Sequence, residues 1–425
     1  MKSTLSNKRY LLMVCFIASL GGFLFGFDTA VISGTLTFVV NHFRFSTYME
    51  GWFVSSALLG CILGVAASGR LSDRYGRKKM MILSAGLFFI SALGCMLAVN
   101  AFMLISFRLI GGLGIGVASM VCPLYISEFS PPGFRGRMVT LYQLAITIGI
   151  VAAYFSNAYL LNVSGRHVYG IWLQQAMQQD VWRSMIGMGL VPSFIFLISL
   201  MIIPESPRWL LLQGREKEAL GGLGKVNTNE VALQEIKDIK KNLQEESGGL
   251  KELFSPVYRT ALIIGLLLPF LSQVSGINAV IYYGPAILDK AGFSLGQALG
   301  GQVTIGIVNV LFTFVAIYTV DKWGRKPLLI LGISGAVIAL LMIGVLFRLN
   351  ITGSSWILIF ILLFIACFAF SFGPVCWIIV SEIFPNAVRG RAMSLATLSL
   401  WIGNFFVGQL TPTMLKSSHW GPSAT

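Results

Sequence analysis

Two charged side chains in this chain stand far from any other charge in sequence. Of its 17 acidic residues Asp28 alone lies well inside a long apolar run, and of its 31 Lys and Arg only Arg108 does. A charge near the centre of a bilayer costs roughly 2.5–3.5 kcal/mol on insertion scales, so one that persists there faces a partner or a water-filled cavity. Asp28 precedes Leu36 by eight residues and Arg108 follows Phe102 by six. At about 1.5 Å per residue, in helices of opposite direction, both lie roughly 9 to 12 Å below the same surface. Matching depth makes them candidate partners. Desolvation disfavours a carboxylate and a nearby guanidinium favours it, so a carboxyl whose partner moves away during a working cycle can take up and release a proton. Proton coupling is the chemistry expected of this pair; a static ion pair that fixes helix packing is the alternative.

Uncharged hydrogen-bonding groups recur beside aromatic rings in several other apolar runs: Tyr142 and Gln143; Ser272, Gln273, Ser275, Asn278, Tyr282 and Tyr283; Gly373, Pro374 and Trp377; Trp401 and Asn404. Amides donate and accept as sugar hydroxyls do, and an indole face suits the C–H face of a pyranose. The pattern is that of a polyol site, and its bland counterpart is interhelical hydrogen bonding. Pro269, Gly276 and Gly373-Pro374 mark places for a span to bend or unwind and free backbone groups toward a cavity.

The elements that must position these groups are long and apolar. The chain is 56% hydrophobic and 11% charged, with a mean hydropathy of +0.79, outside the range of a soluble globule. Eleven blocks are long enough to cross a bilayer, which takes about 20 residues: roughly 11–36, 51–69, 80–99, 102–126, 138–162, 183–203, 260–288, 297–320, 327–348, 355–380 and 392–415. The first is too long and too glycine-rich for a cleaved signal peptide. With the N-terminus in the cytoplasm, 24 of the 31 Lys and Arg fall on the inner side, the positive-inside asymmetry of a plasma-membrane protein. The net charge of +14 therefore reflects topology, and no nucleic-acid partner is expected. All six cysteines lie in apolar blocks without metal-ligand spacing, so they read as small buried hydrophobes. Neither a cofactor, a metal nor an enzymatic activity is expected.

Two loops are written twice. Asp73-Arg74-Tyr75-Gly76-Arg77-Lys78 returns as Asp321-Lys322-Trp323-Gly324-Arg325-Lys326. Tyr125-Ile126-Ser127-Glu128-Phe129 with Arg135-Gly136-Arg137 returns as Val380-Ser381-Glu382-Ile383-Phe384 with Arg389-Gly390-Arg391. The offsets of 248 and 254 residues imply two parallel repeats, an arrangement that places a substrate site near the midplane between halves. The expected domains are a six-helix half over 1–203, a cytoplasmic linker over 204–259 and a second half over 260–425. The linker holds eight acids between Glu216 and Glu252, and Val231, Leu233, Ile236, Ile239 and Leu243 recur at helical spacing, which predicts short amphipathic helices. Gly76 and Gly324 suit tight turns, and Asp73 and Asp321 can accept from neighbouring helix ends or basic side chains. Gly60 with Gly64 and Gly112 with Gly116 predict close helix packing.

Gly69-Arg70-Leu71-Ser72-Asp73-Arg74-Tyr75-Gly76-Arg77, Arg135-Gly136-Arg137, Pro204-Glu205-Ser206-Pro207-Arg208, Gly276-Ile277-Asn278 and Gly373-Pro374-Val375-Cys376-Trp377 together resemble the sugar porters of the major facilitator superfamily. Within that family the look is of the bacterial proton/xylose symporter and, next, of the facilitative glucose transporters. The resemblance implies an all-α membrane protein of the major facilitator fold, working as a monomer with a monosaccharide, protons and the lipid bilayer as its partners. It implies that Asp28 carries the proton and Arg108 pairs with it, where facilitative relatives have a neutral residue. It places sugar contacts at Phe25, Gln143, Gln273, Asn278, Tyr282, Gly373, Trp377, Trp401 and Asn404. It further implies an inner charged network of Glu128, Arg135, Glu205, Arg208, Glu382 and Arg389, which Asp73, Arg77, Asp321 and Arg325 of the duplicated loops extend to the expected inner gate.

Three positions depart from the pattern. Ser272 stands where the family shows a second glutamine before Gln273, Leu400 replaces a residue that is polar in several relatives, and the sequence ends at Thr425 without a twelfth span. The function expected is import of a pentose or hexose with a proton by alternating access. A facilitative uniporter is the alternative; a sugar sensor and a proton-driven drug exporter are weaker ones.

Overall fold

A computed structural model describes residues 7–164, 180–245, 250–349, 351 and 355–417. Five long helices open the chain: α1 (Lys8–Phe43), α2 (Thr47–Tyr75), α3 (Arg77–Met96), α4 (Ala101–Phe129) and α5 (Arg135–Ser164). A sixth span is split into α6 (Val181–Gly187) and α7 (Leu190–Ile202). Short helices α8 (Pro207–Leu212), α9 (Glu216–Gly224), α10 (Asn229–Glu245) and α11 (Leu250–Leu253) follow. The second half contains α12 (Arg259–Val274) and α13 (Ile277–Lys290), α14 (Leu295–Trp323), α15 (Arg325–Arg348), α16 (Ser355–Phe370) with α17 (Phe372–Ile383), and α18 (Asn386–Ser417). Among the described residues eleven helices or helix pairs are long and apolar enough to cross a membrane, the number read from the sequence.

Polar caps set several starts. Asn7, Ser46 and Asn100 accept from the backbone N–H three residues on, and Ser294 with Gln297 forms a reciprocal capping box at α14. Each half turns from its second span into its third on the duplicated glycine: Gly76 has φ 97° and Gly324 φ 83°, a region that L side chains avoid. The expected close packing is present between α2 and α4, where a Cβ on Gly112 would lie 1.9 Å from the Ala57 carbonyl oxygen and one on Gly60 2.2 Å from that of Leu109.

Helix breaks fall close to the expected places, with shifts that follow from backbone chemistry. The seventh span unwinds at Ser275-Gly276, with Gly276 at φ 94°, whereas α12 runs unbroken across Pro269. The tenth span breaks at Ser371, ahead of Gly373-Pro374. Pro374 then sits in the first turn of α17, where its missing N–H is not needed. The division of the sixth span at Met188-Gly189 had no forecast.

The linker helices are amphipathic. Leu223, Ala232 and Ile236 form a small core with Leu211, Leu220 and Ile239 at its edge. Val231 is half-buried, but Leu233 is exposed, a correction to the spacing argument: the buried stripe of α10 is narrower than its apolar content. The side chain of Leu243 lies outside the described residues. All six cysteines are buried and free.

Glu235 of α10 is partly buried and accepts from Asn227 Nδ2 at 2.9 Å. Burial pushes its carboxyl from 4.5 up to about 7, against the opposing pull of Arg135 and with Asp238 adding to the rise. The folded chain therefore holds a proton on Glu235 in a pH range where the unfolded chain has lost it. Its contribution to stability is present at low pH and is lost as pH rises from about 4.5 to about 7. Glu235→Gln should flatten that segment of the stability curve and raise the melting midpoint above pH 7, read by thermal unfolding in detergent; a steeper curve would contradict the assignment.

Candidate functional site

Asp28 on α1 and Arg108 on α4 meet. Arg108 Nη1 donates to Asp28 Oδ2 at 2.9 Å, with side-chain exposures of 4% and 17%. Gly111 lets α3 approach α4 beside the pair, since a Cβ there would lie 2.4 Å from Ser91 Oγ of α3. Arg108 Nε is buried without a hydrogen-bond partner. A small pocket lies on the carboxylate side, bordered by Asp28, Phe27, Val31, Phe88, Gly189 and Ser193 among others. A second small pocket borders Arg108 and also Tyr282 of the other half. The pair is a charge-assisted contact with a pocket on each side.

The predicted sugar contacts form three linked groups. Phe25 of α1 faces Trp401 of α18 with ring centroids 5.3 Å apart, and the Trp401 indole N–H is buried without a partner. Asn278 Nδ2 donates to Gln273 Oε1 at 2.5 Å across the break between α12 and α13, and Gln273 Nε2 donates to Ser272 Oγ at 3.1 Å. Asn404 Nδ2 lies 3.0 Å from the Tyr282 hydroxyl. Gln143, Gly373 and Trp377 are half-buried, and among the described residues no hydrogen bond or ring contact ties them to these groups. Ser272 replaces a long amide, yet its hydroxyl holds the amide that remains.

The charged residues at the linker end assemble unequally. Glu128 accepts from Arg77 Nε at 2.9 Å and Nη2 at 3.0 Å, takes a hydrogen bond from Ser206 at 2.5 Å and pairs with Arg208 at 3.8 Å. Asp73 pairs with Arg77 at 3.1 Å while largely exposed. Glu205 Oε1 accepts from the backbone N–H groups of Arg77, Lys78 and Ser206 at 2.8 to 3.0 Å. An anion thus caps the N-terminus of α3, where backbone dipoles favour it. Of the two partners expected for Asp73, a helix end or a basic side chain, it takes the basic side chain of Arg77, and the distant Glu205 fills the helix end. In the second half Arg325 Nη2 pairs with Glu382 at 2.9 Å and Arg389 Nε donates to the Phe384 carbonyl at 3.2 Å. The Asp321 side chain lies outside the described residues. Arg135 is exposed at the start of α5, beside Glu235 and Arg208. The duplicated pairs differ in burial: 4% and 4% for Arg77–Glu128, 34% and 52% for Arg325–Glu382. Segment 204–209 covers only the first.

Contacts between the halves gather at the opposite end. Ser55 donates to Gln409 Oε1 at 2.6 Å, Gln409 Nε2 to the Tyr48 carbonyl at 3.3 Å and Lys416 to Thr47 Oγ1 at 2.6 Å. Tyr154 donates to the Ile281 carbonyl at 3.2 Å. Gly51 permits the contact, since a Cβ there would lie 2.4 Å from the Gln409 carbonyl oxygen. Sequence reasoning did not reach Gln409 or Ser206; the only signals were an amide inside an apolar span and a serine within the Pro204–Arg208 motif.

Comparison with known proteins bears on this arrangement. The profile of the family described as sugar (and other) transporter matches residues 14–424. The chain is 42% identical over 412 residues to the arabinose-proton symporter of Bacillus subtilis, covering 97% of this chain and 87% of that one. It is 38% identical over 444 residues to the D-xylose-proton symporter of Escherichia coli, covering 98% and 88%. Among solved structures, a partially occluded inward-open conformation of the xylose transporter XylE from E. coli superimposes with a TM-score of 0.84 at 36% identity, over 96% of this chain and 92% of that one.

Burial sets the expected cost of breaking each duplicated ion pair. Glu128→Gln leaves a buried guanidinium with only the exposed Asp73 as its anion, at a cost of up to roughly 3–5 kcal/mol, whereas Glu382→Gln in the exposed pair costs about 0–1 kcal/mol. Melting midpoints in detergent should fall sharply for the first variant and hardly move for the second; equal shifts would sink the contrast.

Proposed function

The chain belongs to the sugar transporter family of the major facilitator superfamily, and from that premise we propose that it imports a pentose or hexose together with a proton. It is a multi-pass membrane transporter, not an enzyme. The observation that carries proton coupling is the buried Asp28–Arg108 pair, 2.9 Å apart and flanked by cavities, in a chain whose relatives are named as arabinose- and xylose-proton symporters. A carboxylate kept in a low-dielectric interior only by one guanidinium changes its proton affinity when that guanidinium leaves.

In the proposed cycle Asp28 takes a proton from the outer side and its hold on Arg108 weakens. Sugar then bridges the halves through Gln143 of α5 and Trp377 of α17 with Gln273 and Asn278 at the seventh-span break. Phe25, Trp401, Gly373, Asn404 and Tyr282 complete the walls. Freed backbone and side-chain amides at Gly276 suit hydroxyl groups, which both donate and accept. Rocking of the halves alternates access. Bonds such as Ser55–Gln409 close the outer end in one state, and the charged networks around Glu128 and Glu382 close the inner end in the other. The linker end faces the cytoplasm in this reading, the membrane is the plasma membrane and the unit is a monomer. The positive-inside distribution of Lys and Arg supports the orientation.

Proteoliposome uptake of a panel of pentoses and hexoses, with and without an imposed proton gradient, tests the reading. The wild-type chain should accumulate one or a few of them only with the gradient. Asp28→Asn should abolish accumulation while sugar exchange continues. Uptake to equilibrium that ignores the gradient would make the chain a uniporter.

A further inference from the structure

Arg108 and Tyr282 border one small pocket whose walls are otherwise apolar except for Thr29. The two residues belong to opposite halves. Arg108 is 3% exposed, its Nη1 is held by Asp28 and, among the described residues, its Nε has no partner. A guanidinium has five N–H donors and no acceptor, and a neutral carboxyl is a weaker acceptor than a carboxylate, so on protonation of Asp28 this group gains by finding another oxygen within the protein interior. Tyr282 offers one. Its ring is buried, its hydroxyl accepts from Asn404 Nδ2 at 3.0 Å, and a phenol oxygen so engaged keeps a lone pair free.

We propose that Tyr282 couples the proton site to the sugar site: when Asp28 is protonated, the Arg108 guanidinium turns across the cavity and donates to the Tyr282 hydroxyl, loosening its bond to Asn404. The step moves one proton onto Asp28 and exchanges hydrogen-bond partners; no covalent bond changes. Among the described residues, the titratable groups within electrostatic reach of Asp28 include Arg108, which touches it, the thiols of Cys61 and Cys95 and the Tyr282 hydroxyl, and Arg108 is the cation among these. Tyr282 is well placed to transmit the change. It lies one turn beyond Asn278 on α13, a helix that starts at the positive-φ hinge of Gly276, and Asn278 holds Gln273. A shift of one guanidinium therefore reaches Asn404 directly and the Gln273–Asn278 pair through the helix. Tyr282 thus acts as a positioning residue. Its role rests on the symport reading above.

The test uses the full chain in proteoliposomes with radiolabelled D-xylose or L-arabinose, whichever the sugar panel shows to be carried. Gradient-driven accumulation and the pH profile of sugar counterflow are read for the wild type, Tyr282→Phe and Thr29→Val. Tyr282→Phe should lower accumulation by about tenfold or more, the size of a typical coupling free energy, lower counterflow far less, and flatten its pH profile. Thr29→Val, which removes the other hydroxyl on the cavity, should behave as wild type. The role is overturned if Tyr282→Phe leaves accumulation and profile unchanged. It is also overturned if both activities fall in proportion with the profile's shape kept, the mark of a sugar or packing contact, or if Thr29→Val is the variant that uncouples. A wild type without gradient-driven accumulation would instead overturn symport itself, and the coupling role with it.

Discussion

Charge in a hydrocarbon interior has few places to go, and that constraint organises the molecule. Arg108 is held by Asp28, and among the described residues its Nε finds no acceptor. The packing around the pair is built to admit it: Gly111 lets α3 approach, and cavities lie on both sides. A fully satisfied pair in a filled core would be fixed. Here one bond of 2.9 Å joins the two charges beside small pockets.

The duplicated loops show how one design serves unequal tasks. Both copies turn on a positive-φ glycine and both aim an arginine at a glutamate from the fourth or tenth span. In the first half segment 204–209 lies over the pair, with Glu205 capping α3 and Ser206 bonding Glu128, and water is excluded. In the second half the pair is open. A buried pair is costly to break and an exposed one is not, so the two copies of one ion pair differ in strength at the same end. The bonds that cross between halves lie at the other end, through Ser55, Gln409, Thr47 and Lys416. Opening one end while closing the other is then an exchange of small polar contacts around a rigid apolar core.

Sequence and structure agree most where a single physical rule decides the outcome. Span number follows from hydropathy and length, and the pairing of Asp28 with Arg108 follows from depth, because hydrocarbon leaves no other charge within reach. The break at Gly276 follows from a residue free to adopt positive φ. Where several rules compete, spacing misleads. Pro269 passes through an intact helix, the tenth span breaks at Ser371 ahead of Gly373-Pro374, and Leu233 is exposed despite its apolar side chain.

By itself the sequence determined the membrane character, the duplication, the family resemblance and the ion pair within the apolar spans, since each depends on composition or on the order of residues along the chain. Only the tertiary structure decided that Glu205 caps α3, that Gln409 bonds across the halves and that Tyr282 shares a cavity with Arg108. Those partners lie over a hundred residues apart in the chain. Which of several amides and carboxylates meets a given donor is set by helix packing at the scale of an ångström, and no residue spacing encodes it.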